Sequence, residues 1–151
     1  MKTMLSYQEA LSRVLKHCQP LGVETIKLDA ALNRSLAKPV IARTEQPPFD
    51  GSAMDGYAVI AKEVKPGAVL KLIGASQAGG GFDGALSSGS CVRIFTGAAL
   101  PKGADAVIMQ EVVSVQGDQV RFETDARIGQ NVRPAGQDFA NGELLLESGT
   151  I

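Results

Sequence analysis

The sequence predicts a mixed α+β fold dominated by strands: a small helix-and-strand lobe, with a barrel-like β lobe inserted into it. Three observations predict this. A clear helical period occurs near the N-terminus, from Tyr7 to Cys18. From Tyr57 onward, short apolar runs alternate with Gly, Pro and Asp, and no long helix separates them. That pattern belongs to an antiparallel or barrel-like β body. The composition, 44% hydrophobic and 21% charged, is that of a globular chain. With no Trp and 5% aromatics, the core must be built largely from Leu, Val, Ile and Ala.

Each element has its own warrant. Ser6-Tyr7-Gln8-Glu9 fits a capping box, a hydroxyl N-cap with Glu three residues on. Leu11, Val14, Leu15 and Cys18 then recur at helical spacing, and Pro20 and Gly22 stop the helix. Glu24 to Leu28 alternates as a short strand. Asp29 is placed to N-cap a second short helix, Ala30 to Leu36, which Pro39 ends; Val40-Ile41 reads as extended. Tyr57–Ile60, Val69–Ile73, Cys91–Phe95 and Ala106–Met109 read as strands, and the glycine-rich 78–84 as a loop. Val112–Gln116 and Gln119–Glu123 flank Gly117-Asp118, a hairpin signal of the Gly-X kind. Asn131–Arg133 and Glu143–Leu146 complete the set. The division expected is a discontinuous lobe of 1–46 with 140–151, and an inserted lobe of 47–139. The strand near the abrupt end at Ile151 suggests a piece of a longer protein.

Charge and cysteine usage exclude several function classes. Net charge is −1 with pI near 5.8, so no basic excess is available for a nucleic-acid backbone. Cys18 and Cys91 have no metal-ligand spacing and read as reduced thiols of a cytoplasmic protein. His17 cannot make a zinc site with one cysteine. No signal peptide and no stretch of membrane-spanning length is seen. Gly79-Gly80-Gly81 lacks the Lys-Ser/Thr ending of a phosphate loop.

Four clusters place polar residues beside glycine at strand ends: Asp50 to Gly56, Arg93 to Asp105, Met109 to Glu111, and Gly129 to Asp138. Functional side chains are often carried this way. Asp55, Glu111 and Asp138, if gathered, could satisfy Mg²⁺ together with water and substrate phosphate, or do acid–base work. Thr96 followed by Gly97 offers a hydroxyl and backbone N–H groups suited to an oxyanion. Arg93 and Arg133 could add charge-assisted contacts, and Ser52 a hydroxyl. The plain structural alternative is an Asx-type turn with solvated aspartates, an outward strand arginine and glycines that only make turns.

Taken together, these clusters resemble the molybdopterin molybdenumtransferase family, the MoeA and gephyrin E-domain group, in its N-terminal region. The carrying residues are Pro48-Phe49-Asp50-Gly51-Ser52-Ala53-Met54-Asp55-Gly56-Tyr57-Ala58, Arg93-Ile94-Phe95-Thr96-Gly97-Ala98, Gly103 to Glu111, Gly129 to Arg133, and Gly136-Gln137-Asp138. The resemblance implies insertion of molybdenum from molybdate into adenylylated molybdopterin, with AMP released and Mg²⁺ or a similar divalent ion assisting. It implies a homodimer, a possible molybdopterin adenylyltransferase partner, and further pterin-binding and C-terminal domains. This chain alone is then expected to be inactive. Carried over residue by residue, it makes Asp55, Thr96 and Asp138 the catalytic set, with Asp55 and Asp138 at the metal. Ser52, Arg93, Gly97, Glu111 and Arg133 fall to substrate binding. Gly51 and Gln137 depart from the family's usual Asn and Glu, and the second leaves one carboxylate fewer. A reading of another class makes the chain a dimerisation or scaffolding module of the same larger protein.

Overall fold

A computed structural model describes residues 4–19 and 21–151. The chain divides into two compact units, Met1–Pro39 with Glu147–Ile151, and Val40–Leu146.

The first unit carries the α-helix α1, Tyr7–Lys16. The capping box forms: Ser6 Oγ accepts from the Glu9 N–H, and the Glu9 carboxylate accepts from the Ser6 N–H at 2.9 Å. Those bonds to Ser6 hold the Glu9 carboxyl below its ordinary pKa. The helix ends at Lys16, with His17 as its C-cap, two residues short of the expected Cys18, and Pro20 lies outside the described residues. Two expectations are corrected here. Residues 24–28 form no strand, because alternation without a partner chain makes no ladder. The second helix is a single 3₁₀ turn, Leu28–Ala30, that contains Asp29 rather than being capped by it. Asn33 then takes φ 61°, a left-handed conformation through which no right-handed helix continues. Leu36 closes the unit, with its N–H on Thr150 O and its carbonyl accepting from Gly149 N–H.

The second unit holds the strands. They are β1 (Val40–Ile41), β2 (Gly51–Ser52), β3 (Gly56–Val59), β4 (Val69–Ser76), β5 (Ser90–Ile94), β6 (Ala106–Met109), β7 (Val113–Gln116), β8 (Gln119–Phe122), β9 (Val132–Arg133) and β10 (Leu144–Leu146). The expected β-dominated class is therefore what the molecule has. Six strands form one sheet in the order β6-β3-β5-β4-β8-β7, while β1 pairs with β10 and β2 with β9. The large sheet is an open half-barrel, since its end strands β6 and β7 do not pair with each other. One pair departs from the antiparallel expectation: β4 and β5 run parallel. A parallel pair needs a crossover of about a dozen residues, and the glycine-rich stretch after Ser76 supplies it without a helix.

Strand alternation sorts the core onto both faces of this sheet. Tyr57, Val59, Leu70, Cys91, Ile108, Val120 and Phe122 pack on one side. Ala58, Leu86, Val92, Ile94, Ala98 and Val107 pack on the other. Burial of each such large side chain is worth about 1.5–3 kcal/mol. Phe122 meets Tyr57 edge-on, with ring centroids 6.3 Å apart. Burial pushes the Cys91 thiol up to about 12, an inert core residue. Cys18 is a free, exposed thiol.

Polar pins hold the connections between strands. The Asp105 carboxylate accepts the N–H of buried Ala61 at 2.6 Å, across 44 residues of chain. Asp105→Ala leaves that buried donor without a partner. It should lower stability by about 1–2 kcal/mol in a urea melt; an unchanged midpoint would show that solvent satisfies Ala61 equally well. Among the described residues, no helix is long and apolar enough to cross a membrane.

Candidate functional site at the Asp55 turn

Register places the site. Gly56 opens β3 opposite Ile94, near the end of β5, and opposite Met109, the end of β6. Asp55, one residue before β3, therefore lies between the chain leaving β5, which is Phe95-Thr96, and the chain leaving β6, which is Gln110-Glu111. Asp55 and Thr96, 41 residues apart in sequence, become neighbours in space. Gly56 permits this crowding. A Cβ there would stand 2.0 Å from the Ile108 carbonyl oxygen, far inside contact distance.

The Asp55 carboxylate accepts two bonds on Oδ1, from the Thr96 N–H and the Thr96 hydroxyl, each 2.8 Å. The backbone N–H of Thr96 and then its hydroxyl hold the Asp55 carboxyl below its ordinary pKa. Desolvation opposes this and the nearby Arg93 charge adds to it. The lowered pKa means the unfolded chain binds the proton more readily. The stabilising effect is therefore complete above the unfolded value of 3.8 and is lost as pH falls through the lower folded value. Thr96→Val keeps the N–H and removes the hydroxyl. The Asp55 pKa should rise partway towards its ordinary value in a carboxyl-detected NMR titration; an unmoved pKa would remove the hydroxyl from this account.

Arg93 lies over the rings of Tyr57, at 5.2 Å, and Phe95, at 4.8 Å. Its Nη1 donates to the Gly56 carbonyl at 3.1 Å, and its Nη2 donates to Gln110 Oε1. Gln110 links three partners. Its N–H donates to the Asp55 carbonyl at 3.2 Å, its Oε1 accepts from Arg93, and its Nε2 donates to Glu111 Oε1 at 3.3 Å. Gln110 stands within Met109-Gln110-Glu111, where no local pattern marks it as a site residue; an amide both donates and accepts, which suits it to join an arginine to a carboxylate.

A second group lies on the segment 50–53, which runs between two others. On one side Ser52 N–H donates to Ala98 O and Gly97 N–H to Ser52 O, both at 2.9 Å. On the other, Gly51 pairs with Arg133 and Ser52 with Val132. Arg133 Nη2 donates to both oxygens of Asp138, at 2.7 and 2.9 Å. This pair is about half exposed, so its own contribution to stability is small.

The predicted residues thus fall into two groups. Asp55, Thr96, Arg93 and Glu111 come together with Gln110, and Arg133 joins Asp138. The segment 50–53 connects the groups. Two local expectations differ from the geometry. The N–H groups of Thr96 and Gly97 are not free for an oxyanion: Asp55 takes the first and the Ser52 carbonyl takes the second. Gly97 turns with φ 80°, a left-handed geometry that glycine adopts freely, and this aims its N–H back at β2. Ser52 is buried, and its hydroxyl donates to the Met54 carbonyl at 2.6 Å, so it shapes the turn from within. Among the described residues, no three of His, Cys, Asp or Glu gather closely enough to hold a metal ion by themselves.

Comparison with known proteins sets this arrangement in a family. The family model described as the MoeA N-terminal region (domain I and II) matches residues 5–151. The molybdopterin molybdenumtransferase of Haemophilus influenzae is 40% identical over 148 residues, 97% of this chain and 37% of that protein. Molybdopterin molybdenumtransferase 2 of Mycobacterium tuberculosis is 31% identical over 100% of this chain and 38% of that protein. The crystal structure of the molybdopterin biosynthesis moeA protein from Pyrococcus horikoshii OT3 superposes with a TM-score of 0.87 at 32% identity. That match covers 97% of this chain and 40% of that one. The chain therefore spans roughly two fifths of the length of these relatives. With the family model matching nearly every residue and a fold to agree, the chain belongs to the MoeA family, as its N-terminal region.

Proposed function

We propose that the chain is the N-terminal part of a molybdopterin molybdenumtransferase. That enzyme inserts molybdenum from molybdate into the dithiolene of adenylylated molybdopterin and releases AMP. The observation that carries the proposal is the Asp55–Thr96 pair, an ionised, oriented carboxylate built from two of the family's motifs. In this reading the lobes 1–46 with 140–151 and 47–139 are the region's domains I and II. The reaction also needs the pterin-binding part of a longer chain, so the 151-residue chain alone gives no turnover.

The residues divide by charge. Molybdate is a dianion, and an ionised Asp55 or Asp138 repels it. Asp55 instead positions a water at the adenylyl phosphate, with Thr96 fixing which way its carboxylate faces. Arg133 and Arg93 answer the anionic groups of the substrate. Asp138 governs how far the Arg133 guanidinium is available, because both of its carboxylate oxygens accept from Arg133 Nη2. Glu111 restrains the Gln110 amide, and Ser52 and Gly97 hold the backbone between the groups. A divalent ion fits only as one that arrives with substrate. Mg²⁺ is commonly bound by one or two carboxylates plus substrate phosphates, and Asp55 and Asp138 would supply the carboxylates. When bound, it would neutralise charge at the phosphate. The enzyme is a cytoplasmic homodimer in this proposal, and an adenylyltransferase hands it substrate.

The test is complementation. The longer protein that contains this chain should restore molybdoenzyme activity to a strain lacking its molybdenumtransferase; no restoration with expressed, folded protein would end the proposal. A scaffolding reading has one observation in its favour. No residue of α1 is buried, and Leu11, Val14 and Leu15 are 42%, 62% and 58% exposed. Light scattering on the chain discriminates: a strict monomer at high concentration removes that reading.

A further inference from the structure

We propose that Asp50 is a positioning residue for this site, clipping the Arg133–Asp138 group in place relative to Asp55 and Thr96. The inference rests on the proposed function for its catalytic meaning and on geometry alone for the clip itself. Asp50 contacts two distant parts of the chain at once. Its carboxylate Oδ1 accepts the Ala135 N–H at 2.8 Å, across 85 residues. Its main-chain carbonyl accepts the Leu100 N–H, also at 2.8 Å. Leu100 lies four residues after Thr96, and Ala135 lies between Arg133 and Asp138. The same residue therefore holds the loop leaving Thr96 through its backbone and the loop carrying Arg133 and Asp138 through its side chain.

The side-chain bond covers what the ladders leave open. The β2–β9 pairing reaches Gly51 opposite Arg133 and goes no further. Beyond it the chain turns at Pro134, which has no N–H to donate. Ala135 is thus the first residue after the ladder that can be fastened by its own N–H, and Asp50 is its acceptor. Farther on, Gly136 N–H donates to Pro47 O and Asp138 N–H to Gln46 O, so the approach to Asp50 also borders this loop. The bond needs an acceptor oxygen at that position and does not need a charge. Asparagine retains the oxygen, and alanine does not.

The experiment uses the longer protein containing this chain, with Asp50→Ala and Asp50→Asn compared. Hydrogen exchange at the Ala135 amide reads the clip without reference to activity. In Asp50→Ala it should quicken by about tenfold, the equivalent of one lost hydrogen bond; in Asp50→Asn it should stay near the parent rate. Molybdenum insertion should fall by about tenfold in Asp50→Ala and recover in Asp50→Asn. Unchanged Ala135 exchange in a folded Asp50→Ala variant would overturn the clip. If Asp50→Ala does not fold, Asp50→Asn still decides: protected Ala135 with lost activity would mean that the Asp50 charge itself serves the reaction, which overturns a positioning role. Should the exchange pattern hold while the parent shows no insertion, the clip stands and the proposed function fails.

Discussion

Replacing Gly56 with alanine should destabilise the chain by at least about 3 kcal/mol, at the upper end of what overpacking costs. The new methyl would lie 2.0 Å from Ile108 O, 2.8 Å from Ile108 C and 3.1 Å from Met109 Cα. All three are backbone atoms, so no side chain can swing aside. Gly56 sits where β3 meets both β5 and β6, and relieving the clash must part β3 from β6. The same movement would pull Asp55 away from Thr96 and from the Gln110 N–H. A thermal melt should show a midpoint lower by roughly 10 °C, the scale such a loss implies for a domain of this size. A midpoint within about 2 °C of the parent would mean that the strands separate far more easily than their packing indicates.

The largest functional effect is expected at Asp55. In the longer protein, Asp55→Ala should slow molybdenum insertion by about 10²–10⁴-fold, the range for removing a positioned acid–base group. Asp55→Asn is the sharper variant. Its Oδ1 can still accept both Thr96 bonds, so the turn should keep its shape while the negative charge is lost. The asparagine variant should therefore melt like the parent and be nearly as slow as the alanine variant. Full activity in Asp55→Asn would reduce Asp55 to a turn-former, the plain alternative that the sequence also allowed.

How legible was this in the letters? Elements with local causes were readable. The capping box at Ser6 and Glu9 formed as its spacing required, and the apolar run Ala106–Met109 is β6 to the residue. Elements that depend on a distant partner were not. Glu24 to Leu28 has the alternation of a strand but no chain beside it, whereas β4 gained a parallel neighbour that no local pattern announces. The site divides the same way. Motifs marked Asp55, Thr96, Arg133 and Asp138 as notable. That the Thr96 hydroxyl and N–H both turn towards Asp55 follows only from the register of β3 against β5. Gln110 and Asp50 escaped for that reason, since each draws its meaning from bonds to residues far along the chain.

The most direct measurement pairs two readouts in one reaction: AMP released and molybdenum incorporated, by the longer protein acting on adenylylated molybdopterin and molybdate. The account predicts equal yields for the parent protein, and near-complete loss of both in an Asp55→Asn variant that keeps its fold. Undiminished yields in that variant would contradict the claim that the Asp55 carboxylate, aimed by Thr96, serves the reaction.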